Sequence, residues 1–250
     1  MDRSKLEEIL KSLKAQGVEH DPGLPPCPLC GAPALRGYDF RAPHRVEHDC
    51  ECAYREPERY LAEVGRVWRR WHWSRVYRES LPPRYREYLE KPWEGRQKEV
   101  VEVLRSWQEE GGVVYLFGPP GTGKTHLAVR AAWGKAQEGR RALFLSEWEF
   151  YERARLEAHD PEAPRLLDQV DVLVLDDLGK ARLTPFAAEV LFGLFEAAHR
   201  KSLDLLLTSN YPPEEAARRL GENAEALLSR VERAVEVRGP DRRRKEVAVR

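Results

Sequence analysis

The chain has 250 residues, which is enough for one α/β domain with a smaller module beside it. Its 42 lysines and arginines balance 42 aspartates and glutamates, so any binding of nucleic acid must come from local patches rather than from net charge. No apolar run approaches membrane-spanning length, and the first residues lack the hydrophobic core of a signal peptide. We therefore expect a cytoplasmic protein with no membrane partner.

The first residues predict a short amphipathic helix over 4–16. Ser4 and Glu7 have the spacing of a capping box, and apolar side chains recur behind them at helical spacing. A helix this short cannot bury its apolar face by itself. It packs either on the adjacent module or on a partner protein, and the sequence leaves both open.

All four cysteines of the chain fall within one segment. They form two pairs, Cys27 with Cys30 and Cys50 with Cys52. In a reducing compartment such a group is more typical of a tetrahedral Zn²⁺ site than of disulfides. His44 and His48 lie between the pairs and could replace one thiolate, and four unliganded thiols are the remaining alternative. Because four protein ligands leave no open position, we expect a structural zinc ion that supplies folding energy to a segment too small for its own core.

The segment 56–94 is rich in aromatic residues and arginines. The aromatic ones include Trp68, Trp71, Trp73 and Tyr77, interleaved with Arg66, Arg69, Arg70 and Arg75. Such a pattern can stack bases and hold phosphates. The interpretation that the sequence favours is a linker helix whose aromatic residues pack on the neighbouring domain while the arginines are solvated. The Leu-Pro-Pro sequence at 81–83 ends this helix and indicates where the next domain begins.

A short apolar strand over 113–117 leads directly into the glycine-rich sequence GPPGTGKT, and a helix follows. This order is the context of a phosphate-binding P-loop, because the glycines let successive N–H groups and the helix N-terminus face phosphate oxygens. We expect Lys124 to reach the β- and γ-phosphates and the Thr125 hydroxyl to bind Mg²⁺. The predicted nucleotide-binding residues are Gly118, Pro119, Pro120, Gly121, Thr122, Gly123, Lys124, Thr125 and His126.

Strands and helices alternate through the rest of the chain, which indicates an α/β fold with a parallel sheet. The further predicted strands cover 141–146, 170–175, 203–209 and 234–238, and the predicted helices cover 95–110, 147–158, 214–220 and 224–233. Thr184 followed by Pro185 predicts the cap and first turn of one more helix.

Polar side chains follow two of these strands at their ends. Asp176 and Asp177 come directly after an apolar strand, the arrangement called Walker B, and Asn210 follows the next strand. Asp176 would hold Mg²⁺ through water, and Asp177 would orient or deprotonate the attacking water. The carboxyl end of a parallel strand faces the nucleotide, so the Asn210 carboxamide can contact the γ-phosphate.

The motifs GPPGTGKT, VLVLDDLG, LLLTSN and ALLSRVER together resemble AAA+ ATPases of the DnaC/DnaI/IstB group. The cysteine segment resembles the zinc module that precedes the ATPase domain in many DnaI-like helicase loaders. The resemblance implies a parallel five-stranded sheet flanked by helices, without a helical lid because few residues follow Asn210. It also implies three parts: a helix and zinc module over 1–55, a linker over 56–94 and the AAA+ domain over 95–250.

The same resemblance implies roles for single residues. Asn210 matches the sensor 1 position, and Arg230 matches the arginine finger that reaches the ATP of a neighbouring subunit, which requires self-association through the ATP site. An exposed helix arginine without a role is the alternative for Arg230. Arg243 matches a second nucleotide-sensing arginine, with Arg242 as a substitute.

The function that this resemblance implies is that of an ATP-dependent loader of a replicative, DnaB-type helicase onto single-stranded DNA. ATP hydrolysis would be slow and switch-like, and the N-terminal helix and zinc module would bind the helicase. Two alternatives remain open: an IstB-like ATPase helper of a transposase, and a nucleotide-dependent adaptor with little hydrolysis.

Overall fold

The structure, a computed structural model, describes residues 23–35, 48–93, 97–160, 162, 164–180, 184–200, 203–221 and 230–242. The helix expected over 4–16 lies outside these residues. The contacts between residues divide the chain into two units, 1–72 and 73–250. The division falls inside the segment that was expected to be a linker. None of the helices in the described ranges is long and apolar enough to cross a membrane.

The first unit is organised around the two cysteine pairs. An antiparallel bridge joins Ala34 to His48 and brings the chain segments that carry the pairs side by side. Helix α1 (Cys52–Arg55) and the first part of helix α2 (Pro57–Ser80) follow. Three α2 residues at helical spacing close a small core, which consists of Leu24, Cys27, Ala34, Tyr60, Val64 and Trp68. Trp68 therefore belongs to the core of the first unit, and the interpretation that assigned it to the neighbouring domain is wrong.

The second unit contains the end of α2 and the remaining elements. These are α3 (Pro83–Arg86), α4 (Lys98–Glu110), β1 (Val113–Phe117), α5 (Lys124–Gln137), β2 (Ala142–Ser146), α6 (Glu147–His159), α7 (Leu166–Gln169), β3 (Val172–Leu178), α8 (Pro185–His199), β4 (Asp204–Ser209), α9 (Pro213–Leu220) and β5 (Arg233–Glu236). The five strands form one sheet in the order β2-β3-β4-β1-β5, and every neighbouring pair is parallel. The expected fold is confirmed, and within the described residues after β4 the elements are α9 and β5 alone.

Both faces of the sheet are covered, which explains why its strands are nearly continuous apolar runs. On β1, Tyr115 belongs to the core shared with α6 and α8, whereas Val114 and Leu116 belong to the core shared with α4 and α5. The alternation is the period of two expected for a strand. Because all strands run the same way, their carboxyl ends lie along one edge, and the P-loop and the acidic residues meet there.

The end of α2 packs along α5, as the favoured interpretation of this segment predicted. Tyr77 is fully buried and its hydroxyl donates a hydrogen bond of 3.1 Å to the Val129 carbonyl. Ser74 likewise donates to the Ala136 carbonyl at 3.3 Å. The helix ends at Ser80, directly before the Leu-Pro-Pro sequence, because proline cannot continue the hydrogen-bond ladder.

The bounds of β3 and β5 differ from the expected ones. Strand β3 runs through the acidic residues to Leu178, with an irregular register between Leu175 and Leu178. The helix expected over 224–233 lies mostly outside the described residues, but its last residue, Arg233, begins β5 and pairs with Val114. The predicted cap of α8 is present, since the Thr184 hydroxyl accepts a hydrogen bond from the Ala187 N–H at 3.2 Å.

Candidate nucleotide and metal sites

The P-loop connects β1 to α5, and two of its glycines are required by close packing. Gly118 has φ 138° and Gly121 has φ 82°, angles that side chains with a Cβ rarely adopt. A Cβ on Gly121 would lie 1.7 Å from Asp241 Oδ1, and one on Gly118 would lie 2.5 Å from the Val237 carbonyl oxygen. The Arg242 N–H also donates to the Gly121 carbonyl at 3.0 Å. The segment after β5 thus holds the loop in shape.

Lys124 is the basic centre of the site. Only 5% of the residue is exposed, and its Nζ donates to the carbonyls of Gly118 at 2.8 Å and Pro119 at 2.9 Å. The same Nζ lies 3.0 Å from Oδ1 of Asn210 at the end of β4. The fold therefore brings the P-loop lysine and the predicted sensor into direct contact.

Asp176 is the buried acid of the site. Its Oδ1 accepts hydrogen bonds from the hydroxyls of Thr125 at 2.9 Å and Thr208 at 2.5 Å. Burial, and then the neighbouring Asp177, raise the pKa of Asp176, and the two hydroxyl contacts act in the opposite direction. The oxygens of Thr125 and Asp176 are the hard ligands that Mg²⁺ prefers, and a cation held there would favour the carboxylate form.

Thr208 was not among the predicted site residues, although it bonds both Asp176 and the next residue. The Asp177 N–H donates to Thr208 Oγ1 at 3.0 Å. The signal in the sequence was that Thr208 is a polar residue inside the apolar run of β4. Its side chain is fully buried in the structure. Such a residue needs a hydrogen-bond partner, and the adjacent strand supplies two.

Asp177 has an unusual backbone conformation. Its φ of 66° is the one positive value among the described non-glycine residues, and such a conformation costs about 1–2 kcal/mol. The side chain is 41% exposed and its Oδ2 lies 2.6 Å from Lys180 Nζ. Strain of this kind often occurs at functional sites. The turn directs the carboxylate of Asp177 into the cleft, away from the buried Asp176.

A cleft of about 890 Å³ extends from the P-loop. Its lining includes Pro120, Gly121, Gly123, Lys124, Thr125, His126, Asp177, Lys180, Asn210 and Arg242. A second part of the wall, which the sequence did not predict, consists of Arg84, Tyr85, Glu87, Tyr88 and Lys91. The Tyr88 ring stacks on His126 with centroids 4.7 Å apart. These residues had been assigned to the linker over 56–94, because their position depends on a contact with α5 that no local pattern reveals.

Of the two arginines predicted to contact the nucleotide, the structure describes Arg230 but not Arg243. Arg230 makes an ion pair with Glu196, and its guanidinium lies 5.6 Å above the Phe192 ring of α8. Among the described residues, those that line the cleft do not include Arg230. Arg243 lies outside the described residues, whereas Arg242, the substitute considered for it, lines the cleft.

The four cysteines form a cluster in the first unit, with all Sγ atoms within 4.8 Å of one another. A tetrahedral zinc ion with Zn–S bonds of 2.3 Å needs sulfur atoms about 3.8 Å apart, so the set fits this metal. The Gly31 N–H donates to the Cys27 carbonyl, and the Cys27 N–H donates to the Ala32 carbonyl, both at 2.8 Å. These bonds form the tight turn that presents the first pair.

The cluster does not include His48. Its Nδ1 is 2.7 Å from the Tyr60 hydroxyl and its Nε2 is 3.2 Å from the Pro25 carbonyl. Burial lowers the pKa of His48, which favours the neutral ring that these contacts use. His44, the other histidine considered as a ligand, lies outside the described residues.

Comparison with known proteins connects this geometry to a family. Residues 91–247 match the model of the IstB-like ATP binding protein family. An insertion sequence ATP-binding protein of Sinorhizobium fredii is 30% identical over 189 residues, which cover 73% of this chain and 57% of that protein. The chain spans about half the length of the curated relatives it matches.

Solved structures show the same fold. The crystal structure of DnaI matches with a TM-score of 0.53 and 23% identity, over 65% of this chain and 94% of the chain in that structure. The crystal structure of the DnaC helicase loader matches with a TM-score of 0.53 and 23% identity, over 63% of this chain and all of that chain. The resemblance to the DnaC/DnaI/IstB group is therefore confirmed, and the chain belongs to the IstB-like ATP-binding protein family.

Proposed function

We propose that this chain is an ATP-driven switch that loads a replicative, DnaB-type helicase onto single-stranded DNA. The observation that carries this proposal is the four-cysteine cluster in the unit before the ATP-binding domain. The ATP site by itself suits every member of the family. A zinc module in front of it is the feature by which the sequence resembles helicase loaders rather than transposition helpers.

The chemistry proposed for the cleft is hydrolysis of the terminal phosphate bond of ATP. The loop amides and Lys124 would hold the phosphates, and Thr125 and Asp176 would hold Mg²⁺, which would neutralise negative charge on the phosphates. Asp177 would orient the attacking water and accept its proton, and the Asn210 carboxamide would donate to the γ-phosphate. The bond between the γ-phosphorus and the bridging oxygen breaks, and ADP and phosphate leave.

Completion of the site by a second copy is proposed to make this reaction slow and switch-like. Arg230 is held on α8 by Glu196 and is not among the described residues that line the cleft of its own chain. A guanidinium that reaches the γ-phosphate of a neighbouring subunit would stabilise the developing charge, and a single chain would lack it. Hydrolysis would then depend on self-association.

The zinc module is proposed to bind the helicase together with the segment 4–16, for which the sequence predicts a helix. The part of its core that the structure describes has six buried residues, and Zn²⁺ held by the four thiolates would supply much of the folding free energy. A module that depends on its metal in this way can present a rigid surface without a large core.

The second candidate is the ATPase helper of a transposase. The relative from Sinorhizobium fredii favours it, because that protein is named as an insertion sequence ATP-binding protein. The remaining alternative is an adaptor in which nucleotide binding stabilises an interaction and hydrolysis is marginal. Both use the same cleft and differ from a loader in partner or turnover.

Co-purification separates these candidates. The full chain is mixed with the replicative helicase or with a transposase of the same organism, with and without ATP, and the mass of each complex is measured. A loader retains the helicase, and the variant Cys50→Ser with Cys52→Ser loses it while still binding ATP. Retention of the transposase alone would support the helper. Turnover measured with and without single-stranded DNA identifies the adaptor by its lack of hydrolysis.

A further inference from the structure

Lys180 lies beside the predicted catalytic acid, yet no role has been given to it. Its Nζ is 2.6 Å from Asp177 Oδ2, and both side chains line the cleft that contains Lys124 and Asn210. Positive φ angles at Asp177 (66°) and Gly179 (87°) turn the chain at the end of β3, so that the Lys180 side chain faces back toward the acid. The Walker B pattern ends before this lysine.

The backbone around Lys180 is fixed, whereas its side chain is not. The Lys180 N–H donates at 3.0 Å to Oε2 of Glu147, which is 3% exposed at the start of α6. Two residues earlier, the Leu178 carbonyl accepts a bond of 2.6 Å from the Ser209 hydroxyl. The Lys180 side chain itself is 50% exposed. Its ammonium can therefore change partner while the backbone keeps its position.

Lys180 lines the cleft near the adjacent ends of β3 and β4. The Lys124 ammonium, which reaches the β- and γ-phosphates in P-loop proteins, lies against Asn210 at the end of β4. Asp177 and Lys180 lie at the end of β3, and β3 pairs directly with β4. His126, on the first turn of α5, stacks on Tyr88 and is therefore not the partner of Asp177.

We propose that Lys180 is a second ammonium ligand of the γ-phosphate. Without a triphosphate it neutralises Asp177; with one it turns to the phosphate and leaves the Asp177 carboxylate for the attacking water. The ion pair is about half exposed on both sides and therefore weak, so a multiply charged phosphate competes for the ammonium. This inference rests on the ATP hydrolysis proposed above and adds a residue that distinguishes ATP from ADP.

The test compares triphosphate with diphosphate binding. The full chain and the variant Lys180→Met are titrated calorimetrically with Mg²⁺ and either a non-hydrolysable ATP analogue or ADP. We expect Lys180→Met to raise the Kd of the ATP analogue by about tenfold and to change the Kd of ADP by less than about twofold. The reason is that a charge-assisted contact to the γ-phosphate is lost. Lys180→Arg should restore most of the preference, and kcat of Lys180→Met should fall.

The matched control is Lys91→Met, which removes another cation from the lining of the same cleft. This variant should weaken the binding of both nucleotides to a similar extent. If Lys180→Met weakened the binding of both nucleotides equally, or of neither, the inference would be overturned. The proposed function would still stand as long as the wild-type chain hydrolyses ATP. A wild-type chain that binds no ATP would overturn both. Thermal melting of each variant shows that the fold is retained.

Discussion

Nζ of Lys124 and Oδ1 of Asn210 lie 3.0 Å apart, although 86 positions separate them in the chain. Lys124 begins α5 and Asn210 follows β4, and the parallel pairing of β1 with β4 brings these two strand ends together. The contact joins the residue proposed to attract the phosphates to the one proposed to contact the γ-phosphate. We therefore expect that mutation can separate binding from hydrolysis.

Asn210→Ala should reduce hydrolysis far more than binding. We expect its kcat to fall by about 10²-fold, the usual effect of losing one preorganised donor, while the Kd of ATP stays within about threefold of wild type. Lys124→Ala should abolish binding itself. Steady-state turnover together with calorimetric titration measures both quantities. Equal loss of affinity in the two variants would contradict a sensor role for Asn210.

Asp176 should limit the stability of the nucleotide-free protein in a pH-dependent way. Because burial raises the pKa of Asp176 in the folded state, that state holds the proton more tightly than the unfolded chain does. The stability contributed by the protonated acid is present at low pH and is lost as pH rises from the ordinary carboxyl range through the raised pKa. Asp176→Asn removes this loss and keeps an oxygen for the two threonine hydroxyls.

We therefore expect Asp176→Asn to have a higher Tm than wild type at neutral pH in metal-free buffer, with a difference that shrinks toward pH 4. Hydrolysis dependent on Mg²⁺ should be lost. The control is Asp171→Asn: burial opposes ionisation there, but hydrogen bonds from Arg141 dominate and lower the pKa of Asp171. That variant should melt below wild type at neutral pH. The same sign of effect in both variants would refute the argument.

Zinc content tests the cysteine cluster. We expect about one Zn²⁺ for each purified chain, because four clustered thiolates form a closed tetrahedral site. Cys50→Ser should lose the metal, whereas His48→Gln should keep it, since His48 contacts Tyr60 and Pro25 instead of the cluster. Elemental analysis of the three proteins measures this directly. Metal-free wild-type protein, or loss of zinc in His48→Gln, would show that the ligand set is wrong.

The residues that could be predicted from the sequence are those whose geometry is set by adjacent residues. The loop from Gly118 to Thr125 and the cap at Thr184 are of this kind, because each is defined by a turn and the helix that follows it. Thr208 and Lys180 were missed for the opposite reason. Their contacts with Asp176 and Asp177 depend on the pairing of β3 with β4 and on the strained turn after β3.

The wall formed by Arg84, Tyr85 and Tyr88 illustrates the same limit. Its residues predict a helix end and little else. Their place in the cleft depends on the stacking of Tyr88 on His126 and on an edge-to-face contact of Tyr85 with Phe144. Trp68 was assigned to the wrong neighbour because an amphipathic helix shows which face is apolar but not what covers it. The positions of the wall residues and of Trp68 both depend on contacts between segments that are distant in the chain.

The proposed finger in trans is tested by mixing two inactive variants. Arg230→Ala keeps a complete P-loop and should bind ATP normally, yet hydrolyse it at least about 10³-fold more slowly, as expected when a finger is removed. Lys124→Ala keeps the finger and binds no ATP. Because each variant has what the other lacks, an equimolar mixture should regain measurable turnover that rises with protein concentration.

The double variant, Lys124→Ala with Arg230→Ala, is the control and should restore no turnover when mixed with Arg230→Ala. If the first mixture also remained inactive while both proteins still self-associate, Arg230 would act within its own chain, through Glu196 and α8, and the shared site would be wrong.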